Sequence, residues 1–283
     1  MLDKSAVSLE GKCALVTGAG TGIGRSIVET FAAYGAVVIV VDRVAGRVEE
    51  VVAAIEGRGG RAVACVADVQ APEGVSALGA ALSQAGGALD VLVNNVGNFM
   101  PGAGWFLSTT EEDWEALYDV NLRHIFRVTR ALAPGMVERG QGAIINVSTV
   151  EALRGIPGNA VYSAFKTAIT GFTRSFALEV APHGVRVNAI APETTETDQV
   201  PVSRWVPEEH AAQVPYLIPL GRFGRPADHA GAALFLASEL SSWVTGVTLP
   251  VDGGAIAAGG FYRLPSGGWT NAPVVSEAAI RPR

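Results

Sequence analysis

The chain has little from which to build a metal centre or a disulfide framework. It holds 283 residues, with two cysteines and four histidines. The histidines, at 124, 183, 210 and 229, are scattered, and none has metal-ligand spacing with a cysteine. Cys13 and Cys65 sit in apolar runs and read as buried thiols, which fits a reducing cytoplasm. Lysine is scarce: Lys4, Lys12 and Lys166 are the only ones among 21 basic residues. Charge is low at 17%, and its formal sum of −6 offers no footprint for nucleic acid. No apolar run approaches the roughly 20 residues of a spanning helix. The start lacks a basic segment leading into an apolar one, so no secretory leader is expected.

What is present is apolar surface and glycine. Hydrophobic residues make up 49% of the chain, with Gly 34 and Pro 15. The mean hydropathy is +0.30, which excludes a disordered chain and suits a large core. Short β-branched runs recur at 13–17, 37–41, 62–67, 91–94, 143–147, 185–190 and 247–251. Amphipathic stretches of helical period separate most of them, and 222–238 reads as one more helix. Strands alternating with helices predict a parallel sheet covered on both faces. Two segments break the rhythm: a Pro-punctuated insertion at 191–225 and a Gly/Pro/aromatic tail at 255–283. With no repeat and no second compositional block, the expectation is one domain over 1–283.

The first run ends in TGAGTGIG, residues 17–24. Glycines 18, 20, 22 and 24 permit a tight turn and close backbone approach to a ligand. The helix start that follows offers free N–H groups and a positive dipole end to a diphosphate. The spacing is neither GxGxxG nor a P-loop. The second run ends in Asp42. A carboxylate there can accept bonds from both adenosine ribose hydroxyls and repels a 2′-phosphate, which selects NAD over NADP. Arg43, next in sequence, is the residue that would hold such a phosphate.

Tyr162 and Lys166 stand four apart in a helical stretch, on one face. With so few lysines, a chance pairing at this spacing is rare. A phenol with a pKa near 10 is a poor base at neutral pH. A neighbouring cation favours the phenolate, and a compact ammonium fits beside a phenol as arginine does not. Such a Tyr can take a proton from an alcohol as hydride leaves its carbon.

TGAGTGIG, Asp42, DV at 68–69, NNVG at 94–97, Asn121 in VNL, INVST at 145–149, YSAFK at 162–166, RVNAIAP at 186–192, GR at 221–222 and TGVTLPVDGG at 245–254 occur in this order. Together they resemble the ordinary single-domain form of the short-chain dehydrogenase/reductase family. The resemblance implies an α/β, Rossmann-like, doubly wound parallel sheet of seven strands, order 3-2-1-4-5-6-7. It implies nicotinamide-dependent interconversion of alcohol and carbonyl. Tyr162 would be the acid/base, and Lys166 would hold the nicotinamide ribose and lower the Tyr162 pKa. Asn121 would anchor a water in the proton relay. Gly18, Thr21, Gly22, Ile23 and Gly24 would cradle the diphosphate. Asp68 and Val69 would flank the adenine, and Asn95 and Gly97 would line the floor. Pro192, Thr195 and Thr197 would meet the nicotinamide end.

The family's substrate-orienting serine falls here on Thr149, with Ser148 beside it. Strand neighbours point to opposite faces, and Thr149 is the expected partner of the substrate oxygen. Glu193 replaces the usual Gly after Pro192 and is expected to disfavour acidic substrates. These two departures raise the alternative of a dinucleotide-binding scaffold without turnover, against which Tyr162 and Lys166 stand. The loops after strands four to six are expected to line the pocket with Phe99, Met100, Trp105, Val150, Leu153, Trp205 and Tyr216, fitting an apolar or cyclic alcohol or ketone. NNVG with TGVTLP is similar to ring-diol dehydrogenases. A homotetramer is expected through the helices at 112–138 and 160–181 and the last strand. The tail, too apolar for a solvated tag, is expected to pack without secondary structure over an interface or a site rim.

Overall fold

β-Branched side chains fill two-sided strands well, and each apolar run does form a strand. The computed structural model describes residues 3–206, 213–264 and 268–270. In chain order the elements begin β1 (Cys13–Thr17), α1 (Gly22–Ala33), β2 (Val37–Asp42), α2 (Ala45–Glu56), β3 (Arg61–Val66), α3 (Pro72–Gln84) and β4 (Val91–Asn94). They continue with α4 (Glu111–Tyr118), α5 (His124–Arg139), β5 (Gly142–Val147), α6 (Ala160–Val180), β6 (Val185–Pro192), α7 (Val202–Trp205) and α8 (Val214–Leu217). Last come α9 (Pro226–Ala237), β7 (Thr248–Val251), α10 (Ala255–Ala258), β8 (Tyr262–Arg263) and β9 (Trp269–Thr270).

Seven parallel strands pair in the order β3-β2-β1-β4-β5-β6-β7, as the resemblance implies. Alternate residues of each strand serve two cores. Ala14, Val16, Val38 and Val40 pack with residues of α1, α2 and α9, whereas Leu15, Ile39 and Val41 pack with α3, α5 and α6. Cys13 and Cys65 are free thiols and buried. Among the described residues no helix is long and apolar enough to cross a membrane.

Three local differences from the sequence reading have physical causes. The helix expected from 222 begins at Pro226, because the residue before a proline is pushed out of the helical region and Arg225 is extended. The helix expected over 112–138 is interrupted by a π turn of 5 residues, Asp119–Arg123. The tail is not without secondary structure: β8 and β9 pair antiparallel, and Arg263 donates to the Pro219 carbonyl at the end of the 191–225 insertion. The aromatic side chains of this tail stay half exposed, with Phe261 at 50% and Trp269 at 52%.

Candidate active site

In a doubly wound sheet the ligand crevice opens outside the carboxyl ends of the strands, where their order reverses. Here β1 lies between β2 and β4, and a cavity of about 580 Å³ opens at that point. Gly18, Thr21, Gly22, Ile23, Asp42, Asp68, Val69, Asn95, Gly97, Thr149, Tyr162, Lys166, Pro192, Thr195 and Thr197 all line it. Gly24 and Asn121, also expected at the site, do not.

The glycine loop is braced from below. A Cβ on Gly24 would sit 2.2 Å from the Gly18 carbonyl oxygen, so this glycine allows α1 to start tight against the loop. Asn95 Nδ2 donates to the carbonyls of Thr17 and Gly18, both at 3.0 Å. Thr21 precedes α1 but does not cap it with its side chain; its hydroxyl donates to Asp198 at 2.7 Å. The first-turn N–H groups of α1 are thus left for an anion. Asp42, only 9% exposed, accepts from the Gly20 N–H at 3.1 Å and the Val44 N–H at 3.0 Å. Each carboxylate oxygen keeps lone pairs for a ribose hydroxyl. Arg43 also lines the cavity, with 68% of its side chain exposed, 4.0 Å from the Asp68 carboxylate.

At the other end, α6 brings Tyr162 and Lys166 to the cleft. Lys166 is 3% exposed and donates to the Val147 carbonyl at 3.1 Å. A Cβ on Gly97 would lie 2.8 Å from its ammonium, so a larger residue on this floor would displace the Lys166 head group. Burial pushes Lys166 down to about 8. Tyr162 departs from expectation. Burial pushes its phenol up to about 12, against a lowering bond from Thr149, and the Glu151 carboxylate adds to the rise. Lys166 sits 5.8 Å from the Tyr162 ring centre and does not by itself bring the phenol down.

The Ser148 hydroxyl donates to the Lys166 main-chain carbonyl at 2.9 Å and is committed to α6. The Thr149 hydroxyl donates to the Pro192 carbonyl at 3.3 Å beside Tyr162. Thr149→Ser is therefore expected to keep turnover within a few-fold. Thr149→Val should lose on the order of 10²-fold in kcat, the scale for one transition-state donor. Steady-state rates of these two and of Ser148→Ala decide it; damage from Ser148→Ala with a silent Thr149→Val reverses the assignment.

Two other expected residues have different work. Asn121 is fully buried; its amide accepts from Asn98 N–H at 3.1 Å and donates to the Asn98 and Leu117 carbonyls at 2.8 and 2.9 Å. It ties the π turn to the loop after β4. Thr195 turns its hydroxyl from the cleft to the Glu193 carbonyl at 2.7 Å and to the buried His229 ring at 2.6 Å. Thr197 stays at the glycine loop, 3.3 Å from where a Cβ on Gly22 would be.

The substrate end is more polar than expected. Of the apolar residues named for it, only Phe99 lines the cavity, edge-on to Tyr162 with ring centres 6.3 Å apart. Met100, Trp105 and Leu153 are 59%, 54% and 43% exposed, and Val150 is core. Tyr216 lies elsewhere, and the Trp205 side chain is outside the described residues. Asn98, Glu151, Ile156, Asn159, Glu193 and Gln199 take their place. Sequence reasoning also missed Arg154, which bonds Glu193 at 2.7 Å and Glu151 at 3.0 Å. The opposite charges of Glu151 and Arg154 three apart were a local signal, but their partner Glu193 lies 39 residues from Arg154.

A glycine-braced helix start, a strand-end carboxylate and a buried Tyr–Lys pair on one cleft define a nicotinamide-dinucleotide oxidoreductase. A family model described as Enoyl-(Acyl carrier protein) reductase matches residues 18–255. The 3-oxoacyl-[acyl-carrier-protein] reductase FabG of Thermotoga maritima is 39% identical over 248 residues, covering 88% of this chain and 99% of that protein. The 2,3-dihydro-2,3-dihydroxybenzoate dehydrogenase of Bacillus subtilis is 35% identical, covering 89% and 98%. A solved 7 alpha-hydroxysteroid dehydrogenase complexed with NADH and 7-oxo glycochenodeoxycholic acid superposes with TM-score 0.82 at 35% identity, covering 90% and 98%. A solved structure from Beutenbergia cavernae with bound NADP at low occupancy gives 0.82 at 37%, covering 89% and 99%. The chain belongs to the short-chain dehydrogenase/reductase family.

Proposed function

We propose that this chain interconverts a secondary alcohol and its ketone with NAD, using Tyr162 as acid and base. The observation that carries the reading is the convergence of Thr149, Tyr162 and Lys166 on the cleft that begins at the uncapped start of α1. The cleft fits a dinucleotide. The α1 N–H groups would hold its diphosphate, Asp42 its adenosine ribose, Val69 its adenine, and Lys166 its second ribose. When bound, that cofactor supplies the hydride acceptor or donor. Thr149 donates to the substrate oxygen and fixes its distance from Tyr162. Tyr162 then takes the hydroxyl proton in oxidation or gives one to the carbonyl oxygen in reduction. Lys166 holds a positive charge beside the phenol, and an oxidised nicotinamide, when bound, would add the further positive charge that favours the ionised form.

The choice of NAD rests on Asp42, whose buried carboxylate would face a 2′-phosphate at close range. The test is a screen of NAD and NADP reduction over cyclic alcohols, diols and hydroxysteroids, followed by absorbance of the reduced cofactor. NAD is expected to be preferred, and Asp42→Ala to narrow the gap at least about ten-fold, the scale of a hydrogen bond to a charged group. Turnover with NADP equal to NAD in the parent protein overturns the preference. Its likeness to a 2,3-dihydro-2,3-dihydroxybenzoate dehydrogenase and a 7 alpha-hydroxysteroid dehydrogenase supports a cyclic hydroxylated substrate, and the polar lining supports one with more than one hydroxyl.

The same reading includes one domain and a homotetramer. Trp243, just before β7, is 99% exposed, and Leu178 on α6 is 76% exposed. Phe126, Phe172 and Phe176 form a ring cluster on α5 and α6. Such exposed apolar patches mark contact surfaces. Ala177, on the same helix, is instead fully buried in the chain's own core.

A further inference from the structure

Resting on that assignment of the cleft, we propose that Arg154 is a carboxylate receptor masked by Glu193, so that Glu193 sets the charge of the substrate this enzyme accepts. The masked site takes uncharged carbonyl and hydroxyl compounds. Unmasked, it takes their carboxylates.

The argument starts from the charges at the substrate end. Glu151 and Glu193 both line it, with side chains 14% and 8% exposed. Among the described residues the cations lining the whole cavity are Arg43, Arg47 and Lys166. Arg43 stands near Asp68 at the adenosine end. Lys166 is buried under Tyr162 and bonded to Val147. Arg154, from the turn after β5, is the one cation placed against the two carboxylates. One guanidinium nitrogen, Nη2, serves both, at 2.7 Å to Glu193 and 3.0 Å to Glu151. The cluster carries two negative charges and one positive. An anionic substrate arriving there meets acceptors without a free donor cation, and its own desolvation goes uncompensated.

Glu193 is held in this role by its other oxygen. Oε1 accepts from the Thr194 N–H at 2.8 Å and the Thr194 hydroxyl at 2.9 Å. The carboxylate is therefore fixed on Arg154 rather than free to swing away. Its place is also close to the chemistry. The preceding residue, Pro192, lines the cavity and accepts from the Thr149 hydroxyl. Arg154 stays bonded to Glu151 through Nε at 3.4 Å and Nη2 at 3.0 Å, so removing the Glu193 side chain would leave one Nη2 N–H, held in fixed geometry, aimed at the volume the carboxylate had filled. A ligand carboxylate entering that volume would take over a charge-assisted bond of the same kind.

The test uses 3-oxobutanoate and its ethyl ester, which present the same ketone with and without a charge. Binding to protein saturated with NAD, the oxidised form that cannot give hydride to a ketone, is measured by calorimetry for the parent, Glu193→Gly, Glu193→Gln and the double variant Glu193→Gly/Arg154→Met. The parent is expected to favour the ester at least ten-fold. Glu193→Gly should move the anion-to-ester ratio by at least ten-fold toward the anion. Glu193→Gln, which keeps an acceptor for Thr194 and removes the charge, should move it the same way by less. The double variant should return the ratio to within a few-fold of the parent. A ratio unchanged in both single variants, undetectable anion binding included, overturns the proposal. So does a gain for the anion that persists without Arg154. Because binding is read without turnover, this outcome is separate from failure of the cofactor screen, which would strike the oxidoreductase assignment instead.

Discussion

Tyr162→Phe is expected to lower kcat by at least about 10³-fold, within the range for a lost acid/base, while cofactor affinity stays within a few-fold. The substitution removes one hydroxyl and keeps the ring, including its edge-on contact with Phe99. The bond to Thr149 goes with the hydroxyl, so the two residues act as a unit and their losses should not add. Rates near normal in Tyr162→Phe refute the role. The pH dependence follows from the direction of the phenol's shift. Burial holds it up to about 12 in the free chain, so at neutral pH it is protonated. That is the form needed to give a proton to a ketone oxygen. Reduction should therefore be nearly flat with pH through neutrality. Oxidation needs the ionised phenol, and its rate should climb with pH up to the phenol's pKa in the loaded site. Measuring both directions from pH 6 to 10 checks the sign; an oxidation rate that falls across this range contradicts it.

Lys166→Met should remove most turnover, weaken cofactor binding, and yet stabilise the fold. The charged ammonium is desolvated in the free chain, which is why its pKa falls from 10.5 to about 8. The sign runs as for any cation depressed on folding: the unfolded chain binds the proton more tightly, so stability is reduced below about pH 8 and recovers as pH rises toward 10.5. At roughly 1.4 kcal/mol per pH unit the full cost is on the order of 3 kcal/mol. Losing the bond to the Val147 carbonyl offsets about 1 kcal/mol of the relief. A gain on the order of 2 kcal/mol is left, which means a Tm higher by several degrees for a chain of this size. Calorimetry of both proteins at pH 7 and pH 10 tests it. The Tm gap should be present at pH 7 and shrink at pH 10. A Lys166→Met protein that melts lower at pH 7 would show that the ammonium earns its place in the fold as well as in catalysis.

How far the molecule was legible depended on the range of each signal. Strands were readable because β-branched runs are local, and Tyr162 with Lys166 because helical spacing puts them on one face. Strand alternation said only that Thr149 and Ser148 would not share a task, and the motif resemblance pointed to Thr149; their hydroxyls go to different partners. The order of the sheet came from the motif resemblance, since pairing between β1 and β4 leaves no mark in either run. The start of α9 was misread because apolar periodicity extends past Pro226, while backbone sterics at Arg225 decide. The polar substrate end was misread for a different reason. Loop aromatics suggest a greasy wall, but short turns such as Val150–Ala152 decide which side chains face inward. The Arg154–Glu193 contact joins two loops and no local pattern announces it.

The π turn at Asp119–Arg123 has a consequence for how the gene can vary. A π turn is an α-helix carrying one residue more than its winding needs. That extra residue puts α4 and α5 out of phase with each other by about 100°. Leu117 before the turn, Asn121 within it, and Ile125, Val128 and Leu132 after it are all buried. A deletion between Leu117 and Asn121 would turn the Asn121 amide by about 100°, away from the Leu117 and Asn98 carbonyls that it now meets. Substitutions inside the turn, at positions such as Val120 or Arg123, leave the count intact. Length, more than side-chain identity, is what this segment must inherit unchanged.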